Sequence, residues 1–254
     1  MSSSPQDRGF TTYPFMDFAS AIVKALPGFT FDRAVIEKRV GLEEGFKIVE
    51  AHLAAMGLPT TSLCGFELRM PASLPLDDFY AFNDLYKSQL KVWNVLLENG
   101  DSPAARTNVA PRSYGFDKPS LHAFSYARPS LPGEISGEAF VVSGAPELLD
   151  KDRYPESIVA RGDLSEIGLS TKTRAAFDIV MEKMTNFGLE WRADARVHLY
   201  SLHPLAGPLQ KIVTDRIGKG PVDGVIWHEA APPVPELELE IDVRRYSREY
   251  YLGG

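Results

Sequence analysis

A single cysteine, Cys64, in 254 residues leaves the chain no intrachain disulfide and no cysteine-based zinc site. Nothing therefore calls for an oxidising compartment. No segment reaches about 18 uninterrupted apolar residues, and the opening MSSSPQDRGFTTYPF lacks the charged-then-apolar pattern of a secretory leader, so a cytoplasmic protein is expected. Basic charge is also scarce. With 27 Lys and Arg against 34 Asp and Glu, the net charge of -7 repels phosphate backbones and anionic lipid, and no local basic run overrides it. Neither nucleic acid nor a membrane is expected as a partner. The five histidines form no H-x-x-x-H pair, and phosphate loop, nucleophile elbow and dinucleotide fingerprint are all missing, so neither a metal nor an organic cofactor is expected. What the chain does have is 44% hydrophobic residues with 24% charged, enough core for one large domain or two ordinary ones.

The sequence repeats itself. GFKIVEAHLAAMGL at 45–58 aligns without a gap on AFDIVMEKMTNFGL at 176–189, at an offset of 131 residues (177 − 46). Apolar positions recur at i, i+3 and i+7 in both copies, and each ends in Gly-Leu, the pattern of a helix with a glycine cap and its hydrophobic contact. Equivalent core helices are predicted at about 42–57 and 173–188. At the same offset, LCGFELRM at 63–70 meets DARVHLYS at 194–201, and both alternate as strands do.

A second helix is predicted over LDDFYAFNDLYKSQLKVWNVLL, capped by Asp77 or Asp78, with Phe79, Phe82, Leu85 and Tyr86 as its buried stripe. LAGPLQKIVTDRIG is its shorter counterpart. Strands ARTNVAP and SLHAFSYAR close the first half, and VDGVIWHEA and ELELEIDVRRY close the second. A Pro- and Gly-containing linker near 129–137 separates units at 1–128 and 134–254. The opening hairpin of the second half reads as GEAFVVSGAPEL. That of the first half is expected around FASAIVKALPGFTFDRAVIEK, although FASAIVKAL also reads as a short helix.

One residue stands out in this plan. Arg106 lies just inside a strand, and a charge entering a half-buried sheet needs an anionic partner, either in the protein or in a ligand. The Ser143-Gly144 strand end, the Gly-Leu helix end, the Asn-x-x-Tyr of Asn83 and Tyr86, and the Ala-Arg strand together form a pattern. Each half thereby resembles the reactive intermediate deaminase family, also called the YjgF/YER057c/UK114 family, over roughly 40–128 and 134–246.

The resemblance implies a chorismate-mutase-like α+β fold, each half a mixed six-stranded sheet backed by two helices. It also implies barrel-like threefold assembly into a trimer or hexamer, and ligand sites in clefts between domains. The implied activity is cofactor-free hydrolysis of enamines or imines of 2-amino acids with release of ammonia. One use of the family in aromatic degradation is deamination of 2-aminomuconate. Arg106 matches the family's two-pronged clamp on the substrate carboxylate, with Asn108 on the same strand and Asn83 as further substrate-binding candidates. Where active members carry a glutamate on the last strand, His122 is the expected acid-base residue. The second half has Asp223 or Gly224 in place of the arginine and is expected to be degenerate as a site. Glu238 or Glu240 is its glutamate, or else simply the wet face of a strand. A dicarboxylate would need a second anchor, for which Arg69, Arg112, Arg128 and Arg196 are candidates. The alternative is a non-catalytic protein that senses a small carboxylate at the same clefts.

Overall fold

Gly57 and Gly188 both take the left-handed backbone that ends a helix, at φ 67° and 68°. In each copy the following leucine donates its N–H back across the cap, Leu58 to Leu53 O at 2.9 Å and Leu189 to Met184 O at 2.8 Å. The repeated Gly-Leu is thus a repeated helix stop. A computed structural model of the protein describes residues 4–14, 21–205, 209, 212 and 224–253.

In chain order it begins with helix α1 (Pro5–Arg8), strands β1 (Phe10–Pro14), β2 (Ala21–Ala25) and β3 (Phe29–Ile36), helix α2 (Leu42–Ala55) and strand β4 (Leu63–Arg69). Helix α3 (Leu76–Val92) and strands β5 (Ala105–Pro111), β6 (Ser120–Pro129) and β7 (Phe140–Pro146) follow. The chain ends with helix α4 (Glu166–Asn186) and strands β8 (Arg196–Ser201), β9 (Val225–His228), β10 (Ala230–Ala231), β11 (Leu239–Arg245) and β12 (Arg248–Leu252).

Helix α4 starts earlier than expected because Ser165 caps it, its Oγ accepting the Gly168 N–H at 3.1 Å. In α3 the backbone turns in at Pro75, so Asp77 and Asp78 lie within the first turn, where they complement the helix dipole rather than cap it. Phe79, Phe82, Tyr86 and Leu90 form its buried stripe, while Leu85 is 60% exposed. The helix expected over 205–218 lies outside the described residues apart from 205, 209 and 212, and so do 15–20.

The strands form two mixed sheets, ordered β10-β5-β4-β6-β3-β12 and β1-β2-β7-β11-β8-β9. Within them β5-β4-β6-β3 and β9-β8-β11-β7 follow the same order, with β4–β5 and β8–β9 parallel. Helices α2 and α3 cover the outer face of the first sheet and α4 that of the second. The inner faces meet. At one end of the contact they are apolar, through Phe10, Phe31, Val141 and the fully buried Cys64.

The other end of the contact is polar. Arg33 holds the Glu67 carboxylate with both Nε and Nη2, at 2.6 and 2.9 Å, and Arg244 of β11 meets the same carboxylate from the opposite sheet. Burial works against the Glu67 charge, but Arg244, Arg33 and Arg69 hold its carboxyl well below the usual range. Asp242 accepts from Thr107, Tyr200 and Arg244 at 2.8, 2.9 and 2.5 Å.

The opening hairpin of the first half differs from expectation. Strands do flank Pro27 and Gly28, but β2 pairs with β7 (Ile22 across from Val142) in the second sheet while β3 stays in the first. Nearly every side chain of β2 is buried, which suits an interior strand between β1 and β7, and Gly28 at φ 85° permits the turn between the sheets. In exchange, β12 at the chain's end runs parallel to β3, with Tyr250 across from Ala34. Each sheet therefore holds two strands from the other half of the chain, β1 and β2 in the second sheet and β10 and β12 in the first.

Candidate active site

Strand β5 is paired with β4 along its inner side, but β10 covers it only at Ala110 and Pro111. Its other outward N–H groups need acceptors. The Arg106 N–H finds Ser143 Oγ at 2.8 Å, a hydroxyl that also accepts the Ala21 N–H and donates to Ala21 O. The Asn108 N–H meets the carboxyl group of Glu240. Ser143 and Gly144, expected at a strand end, lie inside β7, which runs on to Pro146, and there they have a physical role. Serine joins the edge of β5 to the second sheet, and Gly144 leaves the space that Glu240 fills, since a methyl group there would overlap its carboxylate.

Alternation along β5 sends the Arg106 and Asn108 side chains to one face, into a cavity of about 60 Å³ that Glu240 also lines. Arg106 is 5% exposed, and its guanidinium carbon lies 5.0 Å from the Tyr86 ring centre and 5.7 Å from that of Phe79. Aromatic faces of α3 thus hold the planar fork in place. The Asn108 amide is buried, and neither its N nor its O has a hydrogen-bond partner among the described residues. Phe79, Leu148 and Leu237 supply apolar wall. Burial, with Asp242 two residues on, pushes the Glu240 carboxyl up to about 8 against the pull of Arg106, Arg69 and the Asn108 N–H. It is a proton carrier poised near neutrality, beside a cation suited to a carboxylate.

Of the residues singled out from sequence, the structure brings Arg106 and Asn108 together. Asn83 is buried on α3 one turn from Tyr86, without a partner for its amide among the described residues, but it does not line this cavity. His122 lines a different cavity, beside Arg69. Burial and then the neighbouring Arg69 pull its imidazole down to about 3, so it is neutral at physiological pH.

The register also places His122 differently. Arg69 corresponds to Tyr200 (200 − 69 = 131), Tyr200 faces Glu240, and Arg69 faces Ser120. A bulge between Glu67 and Leu68 lets His122 drop out of the pairing. By the same reasoning Phe66, across from Arg106, corresponds to Val197, across from Val225. The counterpart of Arg106 is thus Val225 rather than Gly224, and Asp223 lies outside the described residues.

Three of the four candidate second anchors are committed to acids. Arg112 pairs with Glu229 at 2.6 Å, Arg128 with Asp32 and Glu134 at 2.5 and 2.7 Å, and Arg196 with Glu249 at 3.4 Å. Glu238 shares a hydrogen bond with His203 at 2.6 Å. No group of three His, Cys, Asp or Glu able to hold a metal occurs among the described residues, and no helix among them is long and apolar enough to cross a membrane. Sequence reasoning undervalues Glu240, which is 4% exposed and belongs to no wet face.

Over residues 4–250 the chain matches the family described as 2-aminomuconate deaminase CnbZ. A protein of Comamonas testosteroni named 2-amino-5-chloromuconate deaminase is 33% identical over 247 residues, 96% of either chain. Among solved structures, a chorismatase resembles it with a TM-score of 0.48 at 14% identity, over 93% of this chain and 77% of that one. A cyanuric acid hydrolase gives a TM-score of 0.45 at 10% identity, over 87% and 70%.

Proposed function

The chain belongs to the 2-aminomuconate deaminase CnbZ family, and from that premise we propose that it hydrolyses the enamine of 2-aminomuconate or a ring-substituted analogue, releasing ammonia. The observation that carries this reading is the convergence of the Arg106 fork, the Asn108 amide and the Glu240 carboxyl on one cavity.

Arg106 takes the carboxylate next to the amino-bearing carbon in a bidentate grip, fixing that carbon for attack. Protonated Glu240 gives its proton to the enamine carbon, and the C=C–NH₂ unit becomes a C=N⁺ iminium. The carboxylate so formed takes a proton from water as the water oxygen bonds to the iminium carbon. That proton passes to the nitrogen of the carbinolamine, the C–N bond breaks, and ammonia leaves. The Glu240 carboxylate then takes the hydroxyl proton, which gives the 2-oxo acid and returns Glu240 to its protonated form. All these groups are side chains of this one protein, contributed by β5 from one half and β11 from the other.

Incubation with freshly generated 2-aminomuconate is expected to release one ammonia per substrate consumed, read by a coupled ammonia assay. Tight binding without ammonia release would instead support the carboxylate-sensing alternative.

The finer assignments belong to the same reading. The common order β5-β4-β6-β3 and β9-β8-β11-β7 supports two reactive intermediate deaminase-like units that arose by duplication, and the proposed bounds at 1–128 and 134–254 then leave β1 and β2 lodged in the second unit's sheet and β10 and β12 in the first's. We further propose association of chains with threefold packing, in the cytoplasm; exposed Trp227 on β9 and Tyr251 on β12, each on an edge strand of its sheet, offer apolar surface for association. Sedimentation is expected to give a trimer or hexamer of chains, and a monomer at micromolar concentration would remove that part of the proposal.

A further inference from the structure

Arg69 is the surplus cation of the polar layer between the sheets. Arg33, Arg69, Arg196 and Arg244 share three carboxylates there, those of Glu67, Asp242 and Glu249. Glu67 already receives Arg33 through two nitrogens and also meets Arg244, and its distance to Arg69 Nη2 is 3.5 Å, beyond a good hydrogen bond. The other contacts of the Arg69 guanidinium are weak substitutes for an anion: the Leu68 carbonyl at 3.1 Å and the face of Tyr200 at 5.7 Å. Yet Arg69 is only 9% exposed. A guanidinium buried to this degree that only shares, at 3.5 Å, a carboxylate already taken by two other arginines is incompletely neutralised, and something anionic would complete it.

The space it faces is suited to that. Arg69 lines a cavity of about 410 Å³ whose wall also carries Lys38, Arg39, Ser120 and His122. Three cations stand against a single acid on that wall, Glu37, which leaves two positive charges in excess. Arg39 is held over the Tyr114 ring at 5.4 Å and, among the described residues, donates to the Ser113 carbonyl at 3.4 Å. Ser120 and the neutral imidazole of His122 add uncharged polar groups.

We propose that this cavity is a second ligand site, distinct from the Arg106 cavity, which holds a small dianion, a dicarboxylate or a phosphate, between Arg69 and Arg39. The volume accommodates a six-carbon diacid, and the charge excess matches two negative charges. Arg69 grips one oxyanion from within the polar layer while Arg39 and Lys38 close on the ligand from the rim. The inference does not depend on which cavity performs the deamination.

Calorimetric titration of the full chain with muconate, a dicarboxylate lacking the amino group, and separately with inorganic phosphate tests it. The Arg106→Gln background removes the first cavity as a competing carboxylate site. At least one of the two probes is expected to bind in that background, and the one that binds identifies the class. Adding Arg69→Gln or Arg39→Gln should weaken that binding about tenfold or more, the size of a charge-assisted hydrogen bond. Arg39 is exposed, so its replacement leaves the core intact even if Arg69→Gln should destabilise the fold. Absence of binding by either probe at millimolar concentration would overturn the proposal, as would binding that is unchanged by Arg39→Gln together with Arg69→Gln.

Discussion

Arg106→Lys is expected to lower kcat/KM for 2-aminomuconate about ten- to a hundredfold, and Arg106→Gln further still. Lysine keeps the charge but loses the planar pair of donors, and a charged hydrogen bond is worth about 1.5–3 kcal/mol. Lysine would also lose the stacking that Phe79 and Tyr86 give the guanidinium. Both variants should fold. The carboxyl that acts on the arginine charge is that of Glu240, whose pKa of about 8 means that it holds a proton at neutral pH, and loss of Arg106 raises that pKa further rather than stranding a bare charge. Thermal midpoint set beside turnover decides the matter. A sharply lowered midpoint with turnover intact would make Arg106 an internal ion-pair partner and end the carboxylate-clamp reading.

Glu240→Gln should cost more, on the order of 10²- to 10⁴-fold in kcat, as expected when a general acid-base group is lost. The pH profile carries the signature. If the free enzyme must hand a proton from Glu240 to the enamine, kcat/KM falls as pH rises through about 8, and the Gln variant lacks that limb. Stability should move the other way. The folded pKa lies above the ordinary 4.5, so the folded protein keeps a proton that the unfolded chain gives up, and the stability due to this group is present below about 4.5 and lost as pH climbs to about 8. Glutamine has no such loss, so the variant gains on the wild type in urea melts as pH rises across that window. Gly144→Ala, whose methyl group would push the carboxylate aside, should reproduce the kinetic defect without removing the acid. A wild-type pH limb retained in Glu240→Gln would assign the proton transfer to another group.

Much of this architecture can be read in the sequence because it is written in local rules. Gly57 and Gly188 end helices for the same steric reason wherever they occur, and the two-residue spacing of Arg106 and Asn108 is enough to set both on one face of β5. Glu240 escapes such a reading because a glutamate alternating with Leu239 and Ile241 looks like a solvated strand face. That inference assumes one wet side, whereas here the second side of the strand is pressed against another sheet. The hint lies further along, in Asp242 and Arg244 continuing the same face and in Arg33, Glu67 and Arg69 offering complementary charges from the first half. The position across from Arg69 belongs to Ser120, and the bulge opposite Glu67 and Leu68 leaves His122 outside the pairing; no periodicity of 2 can reveal either. The exchange of β2 and β12 is equally hidden, since a strand-turn-strand sequence reads as a local hairpin whichever sheet its arms enter.

That exchange governs how the molecule comes into being. During synthesis β2 has β1 on one side at once, but its other edge waits for β7, 115 residues later (140 − 25), and the outer edge of β3 stays open until Arg248–Leu252 has been made. A domain that folds as soon as it is translated would be finished by residue 128; here neither sheet has all its strands at that point, since the first still lacks β10 and β12 and the second lacks β7, β8, β9 and β11. A protease cut within 129–137 would accordingly yield two interlocked fragments, each holding a strand that the other needs, rather than two free domains.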